Sequence, residues 1–306
     1  FYGNISAQGG AQGGNGGQIE VSGKQDLVYG GVGDASAPLG LAGSLLLDPA
    51  NIVISSAGSL PSYSFIDPNA TTGGAFGVDI FPLSSGNVVV SASQDTVGGV
   101  TTAGAVYLYN GLTGGLISAL TGSTAGDQIG SNGITQLSNG NYVVSSTNWA
   151  NGASAQAGAA TWGSGVTGVN GAVTSANSLV GSTANDNIGQ FVTALTNGHY
   201  VVNSDVWDNG AVVNVGAVTW GNGTTGITGV VSGANSLVGS QAGDGIGSDA
   251  VGTGSGIIAL ANGNYVVTSP WWTDGSTNNA GAATWVDGST AITGAVSNAN
   301  SLVGSQ

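Results

Sequence analysis

Leu179-Val180-Gly181-Ser182 decides how this chain is read, because it returns as Leu237-Val238-Gly239-Ser240 and Leu302-Val303-Gly304-Ser305, with a looser copy at Leu120-Thr121-Gly122-Ser123. Counted from Leu120, the intervals are 59, 58 and 65 residues. A second anchor keeps the same beat: Asn141-Tyr142-Val143-Val144, His199-Tyr200-Val201-Val202 and Asn264-Tyr265-Val266-Val267, with a more distant copy at Asn87-Val88-Val89-Val90. A third follows each time, as Ala160-Thr161-Trp162, Val218-Thr219-Trp220, Ala283-Thr284-Trp285 and Ala105-Val106-Tyr107. A fixed period of this size denotes stacked or radially arranged supersecondary units, because one such unit cannot bury its own apolar face.

Each copy divides into four short strands. In the second these are residues 134–137, 142–146, 157–162, and a last strand running from Ala172 through Leu179-Val180. Ser138-Asn139-Gly140, Thr196-Asn197-Gly198 and Ala261-Asn262-Gly263 stand between the first two strands and predict tight hairpins, since Asn-Gly supplies positive φ angles. The expected fold is all-β, with four-stranded, propeller-like repeats over 76–123, 124–182, 183–240 and 241–306; a continuous β-solenoid is the alternative. The first copy, Phe76-Gly77-Val78-Asp79, then Gly86-Asn87-Val88-Val89-Val90, then Ala103-Gly104-Ala105-Val106-Tyr107, resembles an FG-GAP repeat of the integrin-α type. That resemblance implies β-propeller blades.

Residues 1–56 have a different texture. A Gly/Gln/Asn-rich run over 9–17 gives way to short apolar segments, Gln18-Ile19-Glu20-Val21-Ser22 and Gly43-Ser44-Leu45-Leu46-Leu47 among them, which read as rungs of a parallel β-solenoid. The phrases Gly16-Gly17-Gln18-Ile19-Glu20-Val21-Ser22-Gly23-Lys24 and Ala42-Gly43-Ser44-Leu45-Leu46-Leu47-Asp48-Pro49-Ala50-Asn51-Ile52 resemble the closing rungs of the β-helix in filamentous-haemagglutinin-type adhesins, which are secreted by the two-partner route. The resemblance implies a bacterial surface or secreted protein. Residues 57–75, with Pro61, Pro68 and Gly73-Gly74, read as a linker.

Composition excludes several classes of function. Of 306 residues, 41% are hydrophobic and 58 are glycine, which argues against disorder and for strands closely spaced by turns. Fifteen acidic residues against one cation, Lys24, give a net charge of −14. Nucleic acid is therefore not an expected partner, because phosphate neutralisation needs Lys and Arg, and an anionic membrane surface would repel the chain. No apolar run reaches the roughly 20 residues of a spanning helix. Without cysteine there are no disulfides, thiolate metal sites or cysteine nucleophiles. The chain opens on Phe1 with no signal peptide, and is expected to be a processed or excised part of a longer protein.

Three sets of residues are candidates for chemistry. Trp149, Trp207 and the pair Trp271-Trp272 follow the second strand beside Asn and Asp, as sugar-stacking platforms would; Trp162, Trp220 and Trp285 end the third strand and are expected in the core. Asp205 and Asp208 flank Trp207, and a glycosidase needs only two carboxylates. Asp127, Asp186 and Asp244 recur as Asp-x-Ile-Gly and would either offer Ca²⁺ oxygen ligands or cap turns through nearby backbone N–H groups. His199 stands where the other copies carry Asn141 and Asn264, as a turn variant. Apart from Ca²⁺, no cofactor is expected. The expected function is an extracellular structural or adhesive segment of a bacterial surface protein, not an enzyme. Its partners would be a carbohydrate or cell-surface ligand bound multivalently, or other copies of the chain joined end to end; a lectin-like module, a filament subunit and a secreted glycosidase are the alternatives.

Overall fold

The computed structural model describes residues 3–29, 31–54, 64–251 and 254–304, with the side chains of 23–29 and 48–54 not described. Residues 57–63 of the expected linker, Pro61 included, the Lys24 side chain and Ser305 lie outside the described part. The chain divides into two units, Phe1–Ser64 and Phe65–Gln306. All regular structure among the described residues is β.

In the first unit Asn4–Ser6 pairs in parallel with Val32–Asp34, and Gln18–Tyr29 pairs in parallel with Ser44–Ile54. Asn4 faces Val32 and Gln18 faces Ser44, so the chain returns to the same position after 28 and 26 residues. Parallel strands repeated at a nearly constant offset are the rungs of a solenoid.

The second unit holds four antiparallel sheets built on one plan. Their strands are Ile80–Pro82, Val88–Ala92, Ala105–Tyr109 and Leu116–Thr121; Ile134–Gln136, Tyr142–Ser146, Ala159–Gly163 and Leu179–Val180; Phe191–Ala194, Tyr200–Ser204, Ala217–Gly221 and Leu237–Val238; and Ile257–Ala259, Tyr265–Ser269, Ala282–Val286 and Leu302–Val303. Each is a meander in chain order, as expected of a propeller-like blade, and none is closed into a barrel. Val143, Ala160 and Leu179 on one face of the second sheet, all at most 1% exposed, pack with Tyr200 and Val202 of the third. The first sheet packs on the second, and the third on the fourth, through the equivalent residues.

The expected fourth strand is divided. Gly171–Ala172, Gly229–Val230 and Gly294–Ala295 leave their own sheets and pair in parallel with the fourth strand of the sheet before, with Gly171 opposite Leu120, Gly229 opposite Leu179 and Gly294 opposite Leu237. A turn then brings the chain back. Asn177, Asn235 and Asn300 hold it, each side-chain oxygen accepting the N–H of Thr174, Ser232 or Ser297 at 2.9 Å. Behind the turn, hydroxyl pairs tie the third strand to the residue just before the fourth at Thr161–Ser178 and Thr219–Ser236, both buried, and at Thr284–Ser301, part-buried, 2.6 to 2.7 Å apart.

The first hairpin turns on Asn-Gly in the last three repeats and on Ser85-Gly86 in the first, but only the glycine takes a positive φ, 86° at Gly140 and 90° at Gly198. Gly140 N–H donates to the Leu137 carbonyl at 3.0 Å and Leu137 N–H to that of Asn141 at 2.8 Å, the pattern of a type I turn followed by a glycine bulge. The turn therefore leaves the Asn139 side chain free to project. Across the sheet Gly163 and Gly221 lie under the rings of Tyr142 and Tyr200, where an added Cβ would stand 2.3 and 2.1 Å from ring carbon Cζ. Those buried tyrosines have their hydroxyls pushed above the usual phenol range by desolvation, Tyr142 to about 12.

Residues 65–76 lie against the far face of the first sheet. Phe65 and Phe76 pack with Tyr107 and Tyr109, the Tyr109 hydroxyl donates to the Ile66 carbonyl at 2.7 Å, and Asn69 Nδ2 donates to the Tyr107 hydroxyl at 2.8 Å. That face is closed by the segment that precedes it.

Candidate functional site

The recurring polar residues converge on the joints between successive sheets. Asp127, Asp186 and Asp244 are fully buried, each with three backbone donors. Asp186 Oδ2 accepts from Ser182 and Thr183 at 2.9 and 2.7 Å, in the turn after the fourth strand, and its Oδ1 accepts from Asp208 N–H at 3.0 Å, in the loop of the next sheet. Asp127 repeats this with Ser123, Thr124 and Ala150, and Asp244 with Ser240, Gln241 and Thr273. Each carboxylate thus staples one sheet's exit turn to the next sheet's loop. Burial raises the pKa of Asp186 despite these donors, with the nearby Asp208 charge adding to the rise. Of the two roles expected for this position, the geometry is that of the backbone cap: the oxygens a cation would need already accept N–H bonds. Among the described residues no three His, Cys, Asp or Glu side chains lie together as a metal site.

A second fastening works through one carbonyl per joint. Gly223 O accepts from Asn139 Nδ2 at 2.7 Å, Asn141 Nδ2 at 2.8 Å and Trp162 Nε1 at 3.0 Å, all from the preceding sheet. Gly288 O accepts from Asn197 Nδ2 at 3.0 Å and Trp220 Nε1 at 2.8 Å, and Gly165 O from Ser85 Oγ and Asn87 Nδ2. His199 is a turn variant here, as expected. Its Nδ1 accepts the Gly223 N–H at 3.0 Å, as Asn141 Oδ1 accepts Gly165 N–H and Asn264 Oδ1 accepts Gly288 N–H. What it gives up is the amide donor to the next sheet.

The tryptophans exchange the places expected of them. Trp149, Trp207 and Trp272 are buried, 2 to 5% exposed, and fill the apolar joints, so they present no sugar-stacking surface. Of the four loop tryptophans Trp271 alone is exposed, at 40%. Trp162 and Trp220 are half-buried at the rim, with their indole N–H groups in the carbonyl clamp, and Trp285 is 57% exposed. The first sheet carries Asp95 where the others carry the buried tryptophan, as the matching bonds from Gly104, Gly158, Gly216 and Gly281 to these carbonyls show. Its Oδ2 accepts from the Tyr107 hydroxyl at 2.9 Å, and desolvation pushes Asp95 up to about 6.

Asp205 and Asp208 have different neighbours. Asp205 is buried, and burial raises its pKa with Asp249 as the further carboxylate acting on it, whereas Asp208 lies beside Asp186 and accepts Asn214 N–H at 2.7 Å. Of the ends that the expected end-to-end joining of copies would use, the first sheet has its outer face covered by residues 65–76 and, among the described residues, no crossing dipeptide. Sequence reasoning passed over the asparagines and glycine carbonyls of the joint. Their signal was the constant spacing of Asn-Gly-Asn/His from Thr-Trp.

These features define a class: a β repeat protein in which successive four-stranded sheets exchange a two-residue strand, a carbonyl and a carboxylate cap. The chain belongs to a family described as a repeat of unknown function (DUF5650), which matches it at residues 82–131, 136–190, 194–248 and 259–306. No curated protein matches the chain.

Proposed function

We propose that this chain is a non-enzymatic structural and adhesive segment of a large extracellular bacterial surface protein, acting through weak contacts repeated along its array. The observation that carries this reading is how the chain spends its reactive side chains. The three periodic aspartates, the buried tryptophans and the turn asparagines are committed to fastening one sheet to the next, and Asp205 and Asp208 point to different neighbours. The parallel rungs of the first unit fit the resemblance to filamentous-haemagglutinin-type adhesins. A net charge of −14 keeps such a surface soluble and discourages nonspecific association with anionic polymers.

Multivalency has a measurable signature, a steep rise of retention with surface density and little binding by a single copy. The chain displayed on beads at graded density, tested on immobilised polysaccharides and on cell surfaces, should be retained only at high density and should release no reducing sugar. Retention independent of density, no retention at any density, or sugar release abolished by Asp205→Asn would overturn the reading.

A further inference from the structure

The fourth sheet presents to solvent the face that the other three bury. Val266, Ala283, Trp285 and Leu302 are the counterparts of Val201, Val218, Trp220 and Leu237 in the third sheet, by strand register. Leu237 is 0% exposed and Leu302 is 82% exposed. An open groove of about 410 Å³ lies on this face, lined by Val266, Ala283, Trp285 and Leu302 together with the turn at Asn298–Ser301.

The polar fittings of a joint stand here as well. Asn262 Oδ1 accepts Asn264 N–H at 3.2 Å and Asn264 Oδ1 accepts Gly288 N–H at 3.1 Å, as Asn139 and Asn141 do with Asn141 N–H and Gly165 N–H. Their Nδ2 groups and the Trp285 indole are therefore set like the three donors that hold Gly223 O, yet among the described residues no carbonyl fills the clamp. The fourth strand has an open edge too. At established joints the carbonyls of Ser178 and Val180 accept from Gly229 and Val231, and those of Ser236 and Val238 from Gly294 and Val296, all at 3.0 Å. Ser301 and Val303 hold the same positions, and among the described residues no strand lies beyond them in their sheet.

We propose that this face is a docking site for one further repeat of the same family, seated as the third sheet is seated on the second. Its occupant supplies a Gly-Ala or Gly-Val strand along Leu302–Val303, a glycine carbonyl to Asn262, Asn264 and Trp285, and a Tyr-Val-Val strand over Val266 and Leu302. The argument is continuity with three existing joints. A second copy of this chain does not meet these requirements, because among the described residues its three crossing dipeptides are already paired and its first sheet has none.

The test extends the full chain by a copy of residues 242–304 joined after Gln306, so that Ser305-Gln306 stands as Ser240-Gln241 does. Trp285 oxidation by N-bromosuccinimide and amide exchange over 301–303 are followed by mass spectrometry in the parent and extended chains. The extended chain should show at least a tenfold slower oxidation of Trp285 and protection of 301–303, and replacing the added Gly-Ala dipeptide by Pro-Pro should restore the parent behaviour. Trp285 oxidised as fast in the extended chain as in the parent would overturn the proposal, whether or not the added repeat folds. So would protection that survives the Pro-Pro change, or a parent that sediments as a dimer with Trp285 already protected, which would make a second copy the occupant.

Discussion

Removing the Asp186 carboxylate should loosen the joint between the second and third sheets by an amount the structure lets one work out. Asp186→Ala strips the partner from three backbone N–H groups, bonded at 2.7 to 3.0 Å to a fully buried acceptor. A hydrogen bond to a charged group contributes about 1.5–3 kcal/mol. Ser182 is exposed and Thr183 and Asp208 half-buried, so water recovers part of each loss, and relief of the buried charge offsets a further part. The expected cost is about 2–4 kcal/mol. Asp186→Asn keeps one acceptor but turns an NH₂ toward N–H donors and should cost about half as much. Denaturant unfolding measures the total, and native-state amide exchange locates it, with Ser182, Thr183 and Asp208 expected to open first. Asp274→Ala, at an exposed site, serves as the control and should stay within about 0.5 kcal/mol. An Asp186→Ala midpoint as little moved as the control would refute the capping argument, as would a wild-type midpoint raised by Ca²⁺ and lowered by chelator.

Two further substitutions and one pH profile test the rest of the architecture. Trp207→Ala should cost about 3–5 kcal/mol because it empties a buried joint, whereas Trp285→Ala on the open face should stay within about 0.5 kcal/mol; similar midpoint shifts for the two in thermal unfolding would show that the tryptophans are misassigned. Asp95 is raised from its ordinary value to about 6, so the folded state holds its proton more tightly than the unfolded chain. Its stabilising contribution is therefore full at acid pH and falls by about 2–3 kcal/mol as pH rises from about 4 to about 6. The Asp95→Asn variant should lack that slope, and an unchanged difference between the two proteins across this range would count against it.

Much of this was legible in the chain itself. The period of Leu-Val-Gly-Ser and Tyr-Val-Val gives the repeat number and the meander of short strands, because apolar alternation and turn residues act locally. The Asp-x-Ile-Gly aspartates could be read as turn caps on the same local ground, and His199 as a substitute for asparagine. Which tryptophan is buried was a different matter. Trp149 and Trp162 look alike in sequence, and only the seating of one sheet on the next puts the first inside the joint and the second at its rim. The crossing dipeptides were equally out of reach, since Gly171–Ala172 carries no marker of its destination and its partner Leu120–Thr121 belongs to the preceding sheet. Sequence alone set what each repeat can form, because propensity and periodicity act over a few residues. Tertiary structure decided what each repeat lends to its neighbour, because a hydrogen bond between residues nearly sixty positions apart forms only once both sheets exist.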